Sequence, residues 1–216
     1  GVTAALVNTL LEGQALQSIV DLAAPRFTVA DPVSAARLRD VGLAAAATDE
    51  PGLAAALQGS VDPTPWLLRH RREPTDPAFI NYTSGTTGVP KGVVLRQDFS
   101  SRVVGLGRLL GLNGPDESFY IPTPAYHAMG LAWSGLGLRI GATLVVRQRF
   151  SASHYWSDIR ENGCTFAYYV GAMPRMIYQQ PPHPDDGTHR LKAFIGGGMP
   201  ADIWDDFAHR FGVRIL

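Results

Sequence analysis

The chain has 216 residues, 45% of them hydrophobic and 18% charged, which is apolar material for one substantial core or two small lobes. Lys plus Arg and Asp plus Glu each total 19, so the net charge is zero, and the broad cationic footprint that nucleic acid or an anionic membrane demands is excluded. One cysteine, Cys164, excludes an intrachain disulfide and, with no signal-peptide pattern, points to a reducing, cytoplasmic setting.

Leu10 to Ala24 carries Leu11, Ala15, Leu16, Ile19, Val20 and Leu22 at spacings of three and four, which predicts an amphipathic helix capped by Asn8 or Thr9 and ended by Pro25. Phe27 to Ala30 reads as a short strand. Asp31-Pro32 then sets a capping carboxylate and a proline at the start of a second helix, Val33 to Val41. The alanine run 44–47 and Leu53 to Leu57 read as helical, and Pro63, Pro65, Pro74 and Pro77 break the next stretch into a surface linker. Residues 1–76 are therefore expected to form a partial N-terminal lobe and linker, and 77–216 a core.

From Ala78 strands and helices alternate. Ala78 to Tyr82 and Gly92 to Leu95 read as strands around a Gly/Thr/Ser loop, followed by a helix from Phe99 to Leu110. Strands at Phe119–Pro122, Thr143–Arg147, Thr165–Tyr169, Leu191–Ile195 and Val213–Leu216 are separated by helices at Gly130–Leu138, Ala152–Asn162, Ala172–Gln179 and Ala201–Arg210. The pattern predicts an α/β fold, a layered and mostly parallel sheet with helices on both faces, whose ligands bind beyond the carboxyl ends of the strands. The apolar stretch Gly130 to Val146 is glycine-rich and interrupted by Arg139, so no membrane span is expected. Cys164, at the start of a strand with no base beside it, reads as a packed thiol. The final strand ends where a ligand loop is expected, which suggests a piece cut from something longer.

The chemistry concentrates in Tyr82 to Gly92, YTSGTTGVPKG. Glycines let backbone N–H groups approach an anion, the hydroxyls of Thr83, Ser84, Thr86 and Thr87 add donors, and Lys91 adds charge. Each charge-assisted hydrogen bond contributes roughly 1.5–3 kcal/mol, so several together hold a polyphosphate. This is not the Walker loop, because Pro90 precedes Lys91 and Gly92 follows it. The stretch 105–111 lacks the spacing of a dinucleotide fingerprint and reads as helix packing. The run His183-Pro184-Asp185-Asp186-Gly187-Thr188-His189 has no zinc-ligand spacing and reads as a surface loop; no metal site is expected within the chain.

The whole string resembles, without a gap, the signature of the adenylate-forming superfamily: acyl-CoA synthetases, firefly-type luciferases and peptide-synthetase adenylation domains. Pro122 to His127 resembles the family's next motif, a proline followed by an aromatic–His step, and Gly196-Gly197-Gly198-Met199-Pro200 resembles the loop bordering adenine, with Met199 where a small alanine is usual. Phe150-Ser151-Ala152 with Trp156, Gln180-Pro181-Pro182 and Arg210 to Leu216 resemble the crotonobetaine/carnitine–CoA ligase branch in particular. The resemblance implies part of the large N-terminal domain of an acid–CoA ligase that uses ATP, magnesium and coenzyme A. The magnesium glutamate, the ribose aspartate and the small C-terminal domain are expected beyond Leu216.

For the residues, the resemblance implies phosphate binding by Thr83, Ser84, Gly85, Thr86, Thr87, Gly88 and Lys91, and nucleotide contact at Gly197, Gly198 and Met199. His127 is the candidate catalytic residue, in a positioning or gating role near the acyl carbonyl. Tyr126, Met129, Trp133, Tyr169, Val170 and Gly171 are candidates for the acid pocket. The expected partners are a small-molecule carboxylic acid, ATP and CoA, with a homodimer the only assembly considered. Three alternatives stay open: a carrier-protein-loading adenylation domain, a homologue that performs only the thioester step, and a silent phosphate-binding module.

Overall fold

The computed structural model describes residues 2–58, 71–83 and 90–216. The chain divides into two compact units, Gly1–Asp98 and Phe99–Leu216.

In the first unit the elements run β1 (Ala4–Leu6), α1 (Gly13–Ala23), β2 (Val29–Ala30), α2 (Pro32–Asp40), β3 (Ala46–Ala47), α3 (Pro51–Gln58), β4 (Pro77–Thr83) and β5 (Lys91–Arg96). Helix α2 begins where the sequence predicts: the Asp31 carboxylate accepts from the backbone N–H of Val33 and of Ser34, each at 3.0 Å. Helix α1 starts later than expected. Its N-cap is Glu12, which makes no side-chain cap bond, while Asn8 Oδ1 accepts from Leu10 N (2.9 Å) in a local turn before the helix. Part of the alanine run read as helical is a strand: β3 pairs in parallel with β2, Val29 against Ala46 and Ala30 against Ala47. Alanine's helix preference is a fraction of a kcal/mol per residue, and two ladder contacts override it.

Strand β4 is the centre of a three-stranded sheet, parallel to β1 and antiparallel to β5. It carries Asn81 inward, 5% exposed, and pairs in register with β5 down to Thr83 opposite Lys91. The compact units thus divide at 98/99, with the β4–β5 hairpin held to the N-terminal residues through β1.

The second unit is the α/β layer predicted. Helix α4 (Phe99–Leu109) leads into β6 (Ser118–Ile121), followed by α5 (Ala128–Ile140), β7 (Thr143–Val146), α6 (Tyr155–Glu161), β8 (Phe166–Val170), α7 (Met173–Tyr178), β9 (Ala193–Gly197), a 3₁₀ turn at Ala201–Ile203 and α8 (Trp204–Phe211). The sheet order is β7-β6-β8-β9 and every pair is parallel. The expected last strand is reduced to one parallel bridge, Ile215 against Phe194.

Alternation along the strands makes two apolar layers. Phe119, Ile121, Phe166 and Tyr168 pack with Trp133 and Leu136 of α5 on one face, and Tyr120, Ala167, Tyr169 and Phe194 pack with Trp156, Ile159, Ile177 and Phe207 on the other. These strands are buried on both sides, so they read as continuous apolar runs.

Loop 179–190 is tied to α8 by His189, whose Nε2 donates to the Phe211 carbonyl (2.7 Å), and above all by Arg210. Arg210 Nε donates to Asp186 Oδ2 (2.7 Å), and its terminal nitrogens donate to the carbonyls of Tyr178 (2.7 Å), Gln180 (2.9 Å) and Pro181 (3.1 Å). Cys164 is fully buried, and burial pushes its thiol up to about 11, so it is a packed thiol and no thiolate.

Candidate active site

In the first unit, the two ends of the string Tyr82–Gly92 pair antiparallel, Tyr82 with Gly92 and Thr83 with Lys91. Thr83 and Lys91 are both exposed, and Lys91 is the first residue of β5. Ser84, Gly85, Thr86, Thr87 and Gly88 lie outside the described residues.

In the second unit the candidates collect at the carboxyl ends of β6, β8 and β9. Parallel pairing sets Val170 against Gly197 and Tyr169 against Gly196, and the ladder continues past the strands as Gly171 N donates to the Gly197 carbonyl (2.9 Å). Two glycines make this approach possible. A Cβ on Gly196 would stand 2.2 Å from the Tyr169 carbonyl oxygen, and one on Gly198 would stand 3.0 Å from the Gly171 Cα. Gly198 also holds φ +91 and Gly171 φ +54, the left-handed region that favours glycine. By contrast nothing lies within 4 Å of a Cβ built on Gly171 or Gly197. The result is a ledge of bare backbone facing open space, with Met199 partly buried behind it against the core.

Beside β6, the loop 122–127 leads into α5. Its N-cap is His127, whose Nδ1 accepts from the backbone N–H of Met129 (3.4 Å). An accepting Nδ1 leaves the ring proton on Nε2, directed away from the helix. The residue is at the surface, and the partial burial of its ring lowers its pKa below histidine's usual value, favouring the neutral form. Gly130, one turn in, rests on the loop backbone: a Cβ there would stand 2.3 Å from the Pro124 carbonyl oxygen. The same loop is pinned from β8, where Thr123 Oγ1 and Tyr168 Oη share a 2.6 Å hydrogen bond.

The acid-pocket candidates separate by depth. Tyr126, Met129 and Val170 are half-buried and Gly171 is exposed, at or near the strand ends. Trp133 and Tyr169 are 2% and 1% exposed and pack in the two apolar layers, Trp133 with its ring 4.3 Å from Phe166 and Tyr169 with its ring 4.9 Å from Phe194. They form the backing of the strand ends.

One group at this edge escapes a reading of the sequence. Arg147, immediately after β7, donates through Nε to Asp158 Oδ2 (2.7 Å) and pairs through a second nitrogen with Asp158 Oδ1. Tyr120 Oη donates to the same carboxylate (2.7 Å). The only sequence signal is an arginine ending an apolar strand and an aspartate on an otherwise apolar helix face. Burial pushes the Asp158 pKa up, but the hydrogen bonds from Arg147 and Tyr120 outweigh it and hold the carboxyl below its ordinary value. A depressed carboxylate pKa contributes stability that is complete above the unfolded-state value and lost as pH falls through the folded-state value. Urea unfolding of the full protein is therefore expected to show Asp158→Asn destabilised by about 2 kcal/mol at neutral pH. The gap to wild type should narrow below about pH 4; equal stability at pH 7 would refute this role.

Among the described residues no three His, Cys, Asp or Glu side chains come together as a metal site, and no helix is long and apolar enough to cross a membrane.

A family model described as "AMP-binding enzyme" matches residues 1–216. Human "Long-chain fatty acid transport protein 5" is 40% identical over 168 residues, covering 76% of this chain and 24% of that protein, so the chain spans about a quarter of that relative's length. The inhibitor-bound N-terminal domain of FACL13 from Mycobacterium tuberculosis superposes with a TM-score of 0.79 over 99% of this chain and 55% of that one, at 22% identity. ATP-bound MatB from Rhodopseudomonas palustris gives a TM-score of 0.73 over 97% of this chain and 42% of that one, at 24% identity. At such identities the structural likeness shows the fold.

Proposed function

Because the chain belongs to the AMP-binding enzyme family, we propose that the protein containing it activates a carboxylic acid with ATP and passes the acyl group to coenzyme A. The carrying observation is the antiparallel pairing of Thr83 with Lys91, which sets a hydroxyl and a lysine side by side at the two ends of the Ser/Thr/Gly string. In the first half-reaction a carboxylate oxygen attacks the α-phosphorus and pyrophosphate leaves; in the second a thiol sulfur attacks the acyl carbon and AMP leaves.

The residues present suit ATP. Lys91 supplies a cation, and Thr83 a hydroxyl, for the phosphates that depart as pyrophosphate. The ledge at Gly171 and Gly197 offers bare backbone on which a flat base can lie, a surface that any side chain at those positions would fill. His127 in its neutral form donates from Nε2 to an acyl oxygen and orients it, a positioning role that requires no proton transfer. Among the described residues no three His, Cys, Asp or Glu side chains come together to hold a metal, and no step is assigned to magnesium.

The test uses the full protein, ATP, CoA and a panel of carboxylic acids, reading acid-dependent ATP–pyrophosphate exchange and thioester formation separately. Both signals with one class of acid support the proposal. Exchange without a CoA thioester favours carrier-protein loading, and thioester formation from supplied acyl-adenylate alone favours the thioester-only homologue. His127→Ala is expected to slow exchange at least about tenfold and, by removing the α5 N-cap, to cost about 1 kcal/mol in urea unfolding; unchanged exchange would remove His127 from the mechanism.

A further inference from the structure

The amino ends of the strands in the second unit carry a separate feature, opposite the ledge. Helices α4 and α5 both end there, and between them lies a cleft of about 170 Å³. Its apolar lining is Val104, Leu112, Leu136 and Ile140, and its polar lining is Arg108, Arg139 and Asn113. The helices approach closely enough that a Cβ on Gly107 would stand 2.6 Å from Leu136 Cδ2, so the cleft opens just past a tight contact.

Arginine in the last turn of a helix complements the carbonyl end of its dipole, and that explains either residue alone. It does not explain why both line one cleft. Neither guanidinium makes an ion pair or hydrogen bond among the described residues, whereas the acidic neighbour Glu117 is occupied by Lys192 Nζ (2.7 Å) and by Thr165 Oγ1 (2.5 Å). Asp116, exposed in the loop before β6, is the one other acidic side chain beside Glu117 in that loop. Overall neutrality is no obstacle, because a charge more than about 10 Å away in solvent is screened and the local pair sets the field.

We propose that this cleft binds a small amphiphilic carboxylate, its apolar body between the two helices and its carboxylate on Arg108 and Arg139. An apolar cavity of about 150 Å³ admits benzene, so the volume suits a single ring or a short alkyl chain. Guanidinium groups recognise a carboxylate through paired N–H donors, and Asn113 adds a further polar contact at the rim. The site is independent of the acid that would react at the strand ends, and the inference does not rest on the proposed reaction.

The experiment is calorimetric titration of the full protein with benzoate, benzyl alcohol and benzylamine, paired with 4-bromobenzoate soaked into crystals to locate bromine by anomalous scattering. Benzoate is expected to bind at least about tenfold more tightly than the alcohol or the amine, with bromine in the cleft. The double variant Arg108→Gln/Arg139→Gln should lose at least about tenfold in benzoate affinity. Both positions are exposed, so the double variant should unfold cooperatively with only the small loss of dipole complementarity, and Val104→Phe, at a half-buried position that narrows the cleft, gives a second route to the same loss. Equal binding of the three probes, unchanged affinity in the double variant, or bromine only at the strand ends would overturn the proposal.

Discussion

Replacing Lys91 by alanine is expected to slow acid-dependent ATP–pyrophosphate exchange in the full protein by about a hundredfold or more, with little change in unfolding midpoint. Lys91 is exposed at the start of β5, so its aliphatic stem stabilises no core and its removal leaves no cavity. Its cost falls where negative charge must be held while pyrophosphate departs, and loss of one such stabilising contact typically costs about 10²–10³-fold in rate. Lys91→Arg keeps the charge but not the compact ammonium, and should recover only part of the rate. Wild-type exchange in Lys91→Ala would detach the hairpin from phosphate chemistry altogether.

A second large effect is expected from the smallest of substitutions. Gly196→Ala should destabilise the second unit by about 3 kcal/mol or more, read by urea unfolding of the full protein, or prevent its soluble expression. The added methyl would stand 2.2 Å from the Tyr169 carbonyl oxygen and 2.6 Å from its ring. The first is backbone of a central strand and the second is packed on Phe194, so neither can yield. Gly197→Ala is the control. One residue on, a methyl meets nothing within 4 Å, so stability should hold while nucleotide affinity falls. If Gly196→Ala unfolds as wild type, β8 and β9 do not approach as described.

How much of this was legible in the sequence differs from element to element. Asp31-Pro32 announced α2 because capping is local chemistry, complete within three residues. The strands from Ala78 on were visible as apolar runs, but their partners were not: β4 and β5 form an antiparallel hairpin inside what reads as βα alternation, because periodicity marks a strand and says nothing of the strand beside it. Strand β1, Ala4-Ala5-Leu6, carries no β-branched residue and exists through pairing with β4. At the site, the glycines of 196–198 stood out as a motif, and pairing with β8 supplies the reason they are glycine. The Tyr120–Asp158–Arg147 group did not stand out, since its members come from separate strands and a helix and no short-range pattern links them. Trp133 and Tyr169 show the converse: an aromatic residue in a motif carries no mark of how deep it sits.

The position of Arg210 decides how the second unit comes apart. One guanidinium satisfies a carboxylate and three carbonyls spread over residues 178–186, and its own plane lies over the Phe211 ring at 4.6 Å. Acceptors that share one side chain are lost together, so residues 178–186 are released as a group when Arg210 lets go, while His189 on the Phe211 carbonyl and Arg160 on the Asp185 carbonyl hold the loop at further points. In a chain whose only thiol is buried, that reversible side-chain latch occupies the role a disulfide plays in oxidised proteins, and it is indifferent to redox potential.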